Sequence, residues 1–351
     1  MGLQTKAVVV IGGGPTVDSL LRGLKRYTAQ LTALVSTCGC GPREGGESAA
    51  PRSPADVHSS LLALGADPLT TQIMERLFAY RVGAAELGGR TFGSLLLSAL
   101  TDIMGGTDLA LEAAARVLNV HGLVLPLTVQ SCPLVAELLD GREVVVCGPD
   151  ELVAAAAGTG VRAVHLAQPT AALPAALRLI ELADIIVFGS TDLYFDLLGP
   201  LQLAGVKNAI TRSPAVKIFV CNLVTQPHTT TGWPASRFIR AVLAALDGPA
   251  NLNYVILNST PVAPQALHSL AADGRAPVAL NLEECLSLGL DVIARPVADA
   301  GGTHYDVEKL ARTILFLGGE QTRSNRARGA AARRGEHLRT AGILVHGAAE
   351  P

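Results

Sequence analysis

The chain has 351 residues, 49% hydrophobic and 17% charged, with a net charge of -2. That length suits one large α/β domain or two smaller ones, and with only 4% aromatics the core must be aliphatic. The near-neutral charge argues against a nucleic-acid surface, no apolar run reaches the ~18–20 residues that span a bilayer, and the first residues lead into a strand rather than a signal peptide, so a cytoplasmic location is expected.

Lys6 to Ile11 is a continuous β-branched run ending in Gly12-Gly13-Gly14, which predicts a buried parallel strand and a tight turn. A helix should follow from about Thr16 to Tyr27, with Val17, Leu20, Leu21 and Leu24 facing the sheet, and a second strand from Leu31 to Ser36 completes a right-handed β-α-β unit. From Thr37 to Pro54 the composition turns to Gly, Pro, Ser and charge; a loop of that length just past a strand end should border a binding site. Helices are expected at 55–64, 68–81, 91–103 and 108–118. Two apolar segments around Asp140-Gly141 predict a β-hairpin closed by a type I′ turn, part of an insertion at about 123–147. After it, strands at 162–166, 185–189, 217–222 and 254–257 alternate with Ala/Leu-rich helices. The expected fold is therefore α/β, doubly wound and Rossmann-related: one mostly parallel sheet with helices on both faces, filling 1–318 as a single domain. The last helix should run from about Asp306 to Leu317; the Arg-rich segment 319–351 lacks large apolar residues and is expected to be a solvated tail.

Six cysteines are scattered too widely for a disulfide scaffold, so reduced thiols are expected. Only Cys38-Gly39-Cys40 is close-spaced, and one such pair is a weak metal signal.

Chemistry gathers at strand ends. The turn Gly12-Gly13-Gly14, with Thr16 in the following helix, brings backbone N–H groups and a helix N-terminus together, as a bound phosphate requires, although Val17 stands where a dinucleotide fingerprint has its third Gly. A purely structural turn is the competing reading. At the end of the 185–189 strand, Ser190, Thr191, Asp192 and Tyr194 offer hydroxyls and a carboxylate, or else ordinary helix capping. Beyond the next strand, Asn222, Thr225 and Gln226 open a polar loop running to Trp233 that can read a base or sugar edge. Asp56 and His58, just past the long loop, can set a carboxylate and an imidazole near a phosphate. No nucleophile elbow or His-Glu-x-x-His is present, so no catalytic residue and no metal ligand is assigned.

These segments together resemble the YvcK family, known as gluconeogenesis factors, and through it the CofD phospholactate transferases. The resemblance is carried by Val10 to Gly14 with Leu20 to Lys25, Phe92-Gly93-Ser94 to Leu97, Gly122 to Pro126, Ala183-Asp184, Leu193-Tyr194, Val220-Cys221-Asn222-Leu223-Val224-Thr225-Gln226-Pro227 and Glu308 to Ala311. It implies a ligand site that takes in Ser94 beside the residues above. In YvcK-like regulators it implies a UDP-sugar or other phosphorylated nucleotide and control of cell-envelope precursor supply and cell shape, through a regulated biosynthetic enzyme. In CofD relatives it implies phospholactyl transfer to a deazaflavin with a divalent metal.

Four motifs depart from the family pattern. Gly39-Cys40 stands where the family has Asp-Asp, which removes the carboxylates that Mg²⁺ would need. Pro15-Thr16 replaces Thr-Gly, Ser190-Thr191-Asp192 replaces Pro-Gly-Ser, and His304-Tyr305-Asp306 replaces Arg-His-Asp. The expectation is a non-catalytic, YvcK-like protein binding a phosphorylated nucleotide or UDP-sugar, with a homodimer plausible. A transferase using two of Asp56, Asp192 and Glu44, brought within ~4–6 Å around a metal, is the first alternative. A degenerate scaffold acting through protein partners, its crevice blocked by Pro15, Arg43 or Tyr194, is the second.

Overall fold

The structure is a computed structural model that describes residues 6–39, 53–83 and 91–319, without the side chains of 53–56 and 68. Strand β1 (Val8–Ile11) is buried along its whole length and pairs in parallel with β2 (Leu31–Val35) on one side and β7 (Ile185–Phe188) on the other. Its side chains alternate between two cores, Val8 and Val10 facing one and Val9 and Ile11 the other, as the two-residue period of a strand requires. A strand covered on both faces has no polar side, which is why this segment reads as an unbroken apolar run.

The main sheet adds β3 (Leu123–Pro126) beside β2 and, on the far side, β8 (Val216–Val220), β9 (Tyr254–Asn258) and β10 (Asp291–Arg295), giving the order β10-β9-β8-β7-β1-β2-β3 with every pair parallel. The chain thus winds outward from β1 through β2 and β3, then returns to β7 and winds the other way. That reversal lies between β1 and β7, and in doubly wound sheets the crevice opens at such a point, beyond the carboxyl ends of the strands.

The helices α1 (Gly14–Leu24), α2 (Ser53–Ala63), α3 (Pro68–Ala79), α4 (Phe92–Met104) and α5 (Thr107–Val117) follow the first two strands. Short α6 (Pro149–Ala155), α7 (Pro174–Leu182), α8 (Val206–Arg212), α9 (Ala235–Ala245), α10 (Pro264–Ala272) and α11 (Leu282–Leu286) connect the later ones, and α12 covers 307–319. Gly23 lets α1 and α12 touch: a Cβ there would stand 2.7 Å from the Val307 carbonyl oxygen.

The expected hairpin is present, β4 (Leu134–Leu138) antiparallel to β5 (Glu143–Val146), but its turn is not type I′. Gly141 takes φ +88° while Asp140 does not turn positive; Gly141 N–H bonds the Leu138 carbonyl at 3.1 Å and Leu138 N–H the Arg142 carbonyl at 2.9 Å. This is a type I turn closed by a glycine bulge. A second correction concerns the segment read as a parallel strand at 162–166. It forms β6 (Val161–Leu166) and pairs antiparallel with β4, making a separate three-stranded sheet. Arg162 and His165 within it mark a solvated side that no strand buried on both faces would carry.

Strand β3 belongs to the main sheet, so the inserted strands begin at Leu134. The segments 40–52 and 320–351, with Cys40, Arg43, Glu44 and the basic tail, lie outside the described residues. Among the described residues no single helix is long and apolar enough to cross a membrane. Cys38, Cys132, Cys221 and Cys285 are free thiols, as expected, but Cys147 is disulfide-bonded, which spacing along the chain could not reveal.

Candidate functional site at the strand ends

Three of the predicted strand-end segments meet at the crevice. Gly12 leaves β1 with φ +148°, and a Cβ there would lie 3.0 Å from Val17 Cγ2. The same Val17 methyl would stand 2.8 Å from a Cβ on Gly189, so the residue that breaks the dinucleotide fingerprint fills the space between two glycines. The Gly13 N–H donates to Thr191 Oγ1 at 3.2 Å, and that hydroxyl lies 2.7 Å from the Gly13 carbonyl oxygen and 2.9 Å from Asp196 Oδ2. Asn222 Nδ2 donates to the Thr191 carbonyl at 2.9 Å. A continuous hydrogen-bonded path thus links the ends of β1, β7 and β8.

Around that path the loops are braced. Asp192 Oδ1 accepts the amides of Tyr194 (3.1 Å) and Phe195 (2.7 Å), capping the π-helical turn Leu193–Leu198. Ser190 is buried and bonded to the Tyr305 hydroxyl, which itself donates to the Cys221 carbonyl. Tyr194 is also buried, and burial raises its phenol above the ordinary range; its ring meets Trp233 edge-on at 6.3 Å. Thr225 is fully buried and its hydroxyl holds both backbone groups of Ala276, accepting from N–H at 3.0 Å and donating to the carbonyl at 3.2 Å. The Gln226 amide N–H donates to Thr230 Oγ1 at 2.8 Å. These residues shape the loops more than they present free groups.

The other sequence candidates distribute as follows. Thr16 is half-buried in the first turn of α1. Ser94 closes a cap at the start of α4, its Oγ donating to the Thr91 carbonyl at 2.8 Å and its N–H to Thr91 Oγ1 at 3.3 Å, so capping explains it fully. The Asp56 side chain lies outside the described residues. His58 does not reach the crevice surface: it is buried, edge-on to Phe78 at 5.5 Å, and burial lowers its pKa to about 4. Nearby, Asp18 accepts a hydrogen bond from Ser60 at 2.8 Å, and burial holds its pKa above the usual carboxylate value.

Reading strand ends also missed a feature. A cavity of about 250 Å³ opens at the ends of β8 and β9, its walls including Asn222, Leu223, Asn258, Thr260, Val262 and Val278. Asn258 is consumed by the backbone: Oδ1 accepts from Thr260, Val297 and Ala298, and Nδ2 donates to the Thr260 carbonyl. Thr260 Oγ1, by contrast, is a buried oxygen with no partner. Gly302 closes one side with φ +76°, where a Cβ would come 2.6 Å from the Pro261 carbonyl oxygen. The signal was available, since Asn258-Ser259-Thr260 follows an apolar strand just as Ser190-Thr191-Asp192 and Asn222 do.

Among the described residues, Asp192 caps the π-helix, Asp196 is bonded to Thr191, and no cluster of three or more His, Cys, Asp or Glu side chains could hold a metal ion; Glu44 and the Asp56 side chain lie outside them.

Residues 8–298 match the family model described as 2-phospho-L-lactate transferase CofD. A putative gluconeogenesis factor from Nostoc is 34% identical over 318 residues, covering 88% of this chain and 68% of that protein. The gluconeogenesis factor of Bacillus subtilis is 32% identical, over 90% of this chain and 99% of its own length. A crystal structure of a UPF0052 family member from Bacillus halodurans superimposes with a TM-score of 0.79 at 31% identity, covering 90% of this chain and all of that one.

Proposed function

Because the chain belongs to the CofD family and has gluconeogenesis factors among its relatives, we propose that it is a regulatory protein that binds a phosphorylated nucleotide or nucleotide sugar at the β1–β7–β8 strand ends. The observation that carries the reading is the bonded path from Gly13 through Thr191 to Asn222, which holds a glycine-rich helix start and two polar loops against one crevice. A helix N-terminus with close backbone approach suits a phosphate, and amide and hydroxyl groups suit a sugar or base. Control of cell-envelope precursor supply, through a biosynthetic enzyme as partner, is the cellular role that follows from the resemblance to YvcK-like regulators.

The transferase reading is weaker for a physical reason. Metal-assisted group transfer needs carboxylates free to coordinate, and Asp192 and Asp196 are engaged by protein donors.

Calorimetric titration of the full chain with UDP-N-acetylglucosamine, UDP-glucose, NAD and GTP, each with and without Mg²⁺, tests the reading. Saturable binding of a nucleotide sugar, unchanged by Mg²⁺ and without turnover, is expected. Metal-dependent turnover would establish a transferase instead, and no binding at all would leave a scaffold that works through protein partners.

A further inference from the structure

Four thiols are free among the described residues, and two of them touch. Cys38 lies just beyond β2 and Cys132 just before β4. Here the Gly39 N–H donates to the Cys132 carbonyl and the Cys132 N–H to the Gly39 carbonyl, each at 3.0 Å. Such a reciprocal pair holds two segments side by side as in an antiparallel ladder, with Cα atoms about 5.5 Å apart, which is the separation a disulfide spans. Between the side chains, the Cys38 S–H donates to the Cys132 sulfur. A disulfide already stands at this end of the hairpin: Cys147, one residue past the Val146 that pairs with Leu134, is disulfide-bonded.

The contact makes the two thiols unequal. Hydrogen bonds from Cys38 and from the Gly39 N–H hold the Cys132 thiol below its ordinary value, whereas donating to Cys132, together with burial, pushes Cys38 up. Burial raises the other two free thiols, Cys221 and Cys285. The thiolate is the form that reacts, so Cys132 is the nucleophile of the four and Cys38 is the thiol in reach of it. The pair also touches the crevice. The Cys38 N–H donates to Ser36 Oγ at 3.4 Å, and that hydroxyl donates to the Phe195 carbonyl at 2.6 Å, next to the Asp196 that holds Thr191.

We propose that Cys38 and Cys132 are a peroxide-sensitive dithiol, a modification site that closes to a disulfide and tethers the end of β2 to the root of the inserted sheet. The Cys132 thiolate attacks one oxygen of hydrogen peroxide; the O–O bond breaks, the departing oxygen takes up a proton as water, and Cys132 becomes a sulfenic acid. The Cys38 sulfur then attacks the sulfenic sulfur. An S–S bond forms, the S–O bond breaks, and the hydroxyl leaves with the Cys38 proton as a second water. Two thiols thereby lose two electrons and two protons, and the peroxide is reduced to two waters. At 1% and 0% exposure the pair admits an oxidant close to water in size and excludes bulky disulfides.

In the test, the full chain is reduced with dithiothreitol, freed of it, treated with hydrogen peroxide, then denatured, alkylated and read by peptide mass spectrometry. Cys38 and Cys132 should appear as one crosslinked peptide pair, two hydrogens lighter than the dithiol and restored by reductant, while Cys221 and Cys285 are alkylated as before. The crosslink should raise the unfolding temperature of wild type by at least about 3 °C relative to Cys38→Ser treated in the same way. In Cys38→Ser, Cys132 should stop at the sulfenic acid and be trapped by dimedone; in Cys132→Ser, Cys38 should stay a thiol. Alkylation of both Cys38 and Cys132 after peroxide, or a crosslink from either to Cys147, would overturn the proposal. The wild-type crosslink decides it even where a serine in the core prevents folding. No ligand enters the measurement, so the outcome is independent of the nucleotide-binding reading.

Discussion

At the β1–β7 end of the crevice, Thr191 is shared between Gly13 and Asp196 and Asp192 caps the π-helix, so the polar groups there hold the loops to one another. At the β8–β9 end, Asn258 braces the backbone through four hydrogen bonds, while the Ser259 and Thr260 hydroxyls have no partner among the described residues. Both ends follow a parallel strand with a short polar sequence. What separates them is whether a donor or acceptor has been matched inside the chain. A buried oxygen left unmatched costs folding free energy, and Thr260 Oγ1 shares that condition with Thr229 Oγ1 and His58 Nε2.

The largest expected effect lies at the turn that closes the unmatched end. Gly302 combines φ +76° with a backbone oxygen 2.6 Å from where a Cβ would stand, and neither condition relaxes without moving the Pro261–Val262 wall. Gly302→Ala should lose about 3–4 kcal/mol of stability, read from the denaturant midpoint. A loss below 1 kcal/mol would mean that this wall is compliant and the cavity not preformed.

His58 tests the opposite region through pH. Burial lowers its pKa from 6.5 to about 4, so between those values the unfolded chain binds a proton that the folded chain does not. Stability should then be retained above pH 6.5 and fall by about 3 kcal/mol as the pH drops toward 4. His58→Leu should flatten that segment of the pH–stability curve, and an unchanged slope would show that the imidazole is hydrated rather than buried.

The matched end should weaken when one of its partners is removed. Thr191→Val keeps the shape, takes the hydroxyl from Gly13 and Asp196, and should cost about 2 kcal/mol in thermal or chemical unfolding. No cost would mean that the path from Gly13 to Asn222 does not organise the loops.

How far the sequence discloses this depends on the kind of information. The parallel sheet is legible because β1 and β7 are buried on both faces and read as uninterrupted apolar runs, and β8 is apolar apart from Lys217, whose ammonium reaches the Ser213 carbonyl. Strand β10 is not, because Asp291 and Arg295 at its ends dilute the pattern, and β6 reads as one more parallel strand because strand length and apolarity do not specify a partner. At the strand ends, the meeting of Gly12, Gly13, Thr191 and Asn222 is legible from their position after strands. The roles of Ser94 and Thr225 are not: a hydroxyl satisfied locally and one offered to a ligand have the same letter. Their hydrogen bonds, to Thr91 and Ala276, separate the two cases only in three dimensions.

The smallest stability effect discriminates most sharply between the two ends. Thr260→Val deletes a buried hydroxyl that has nothing to bond, replacing it with a methyl of similar volume. At a position serving only the fold, such a change should leave the protein as stable as before or more so by up to about 1 kcal/mol, the reverse of Thr191→Val. The same substitution should weaken binding of any ligand that hydrogen-bonds this hydroxyl in the cavity. A protein that gains stability and loses affinity in one step has had a binding group removed. One that loses both would place Thr260 among the braces and make the two ends alike.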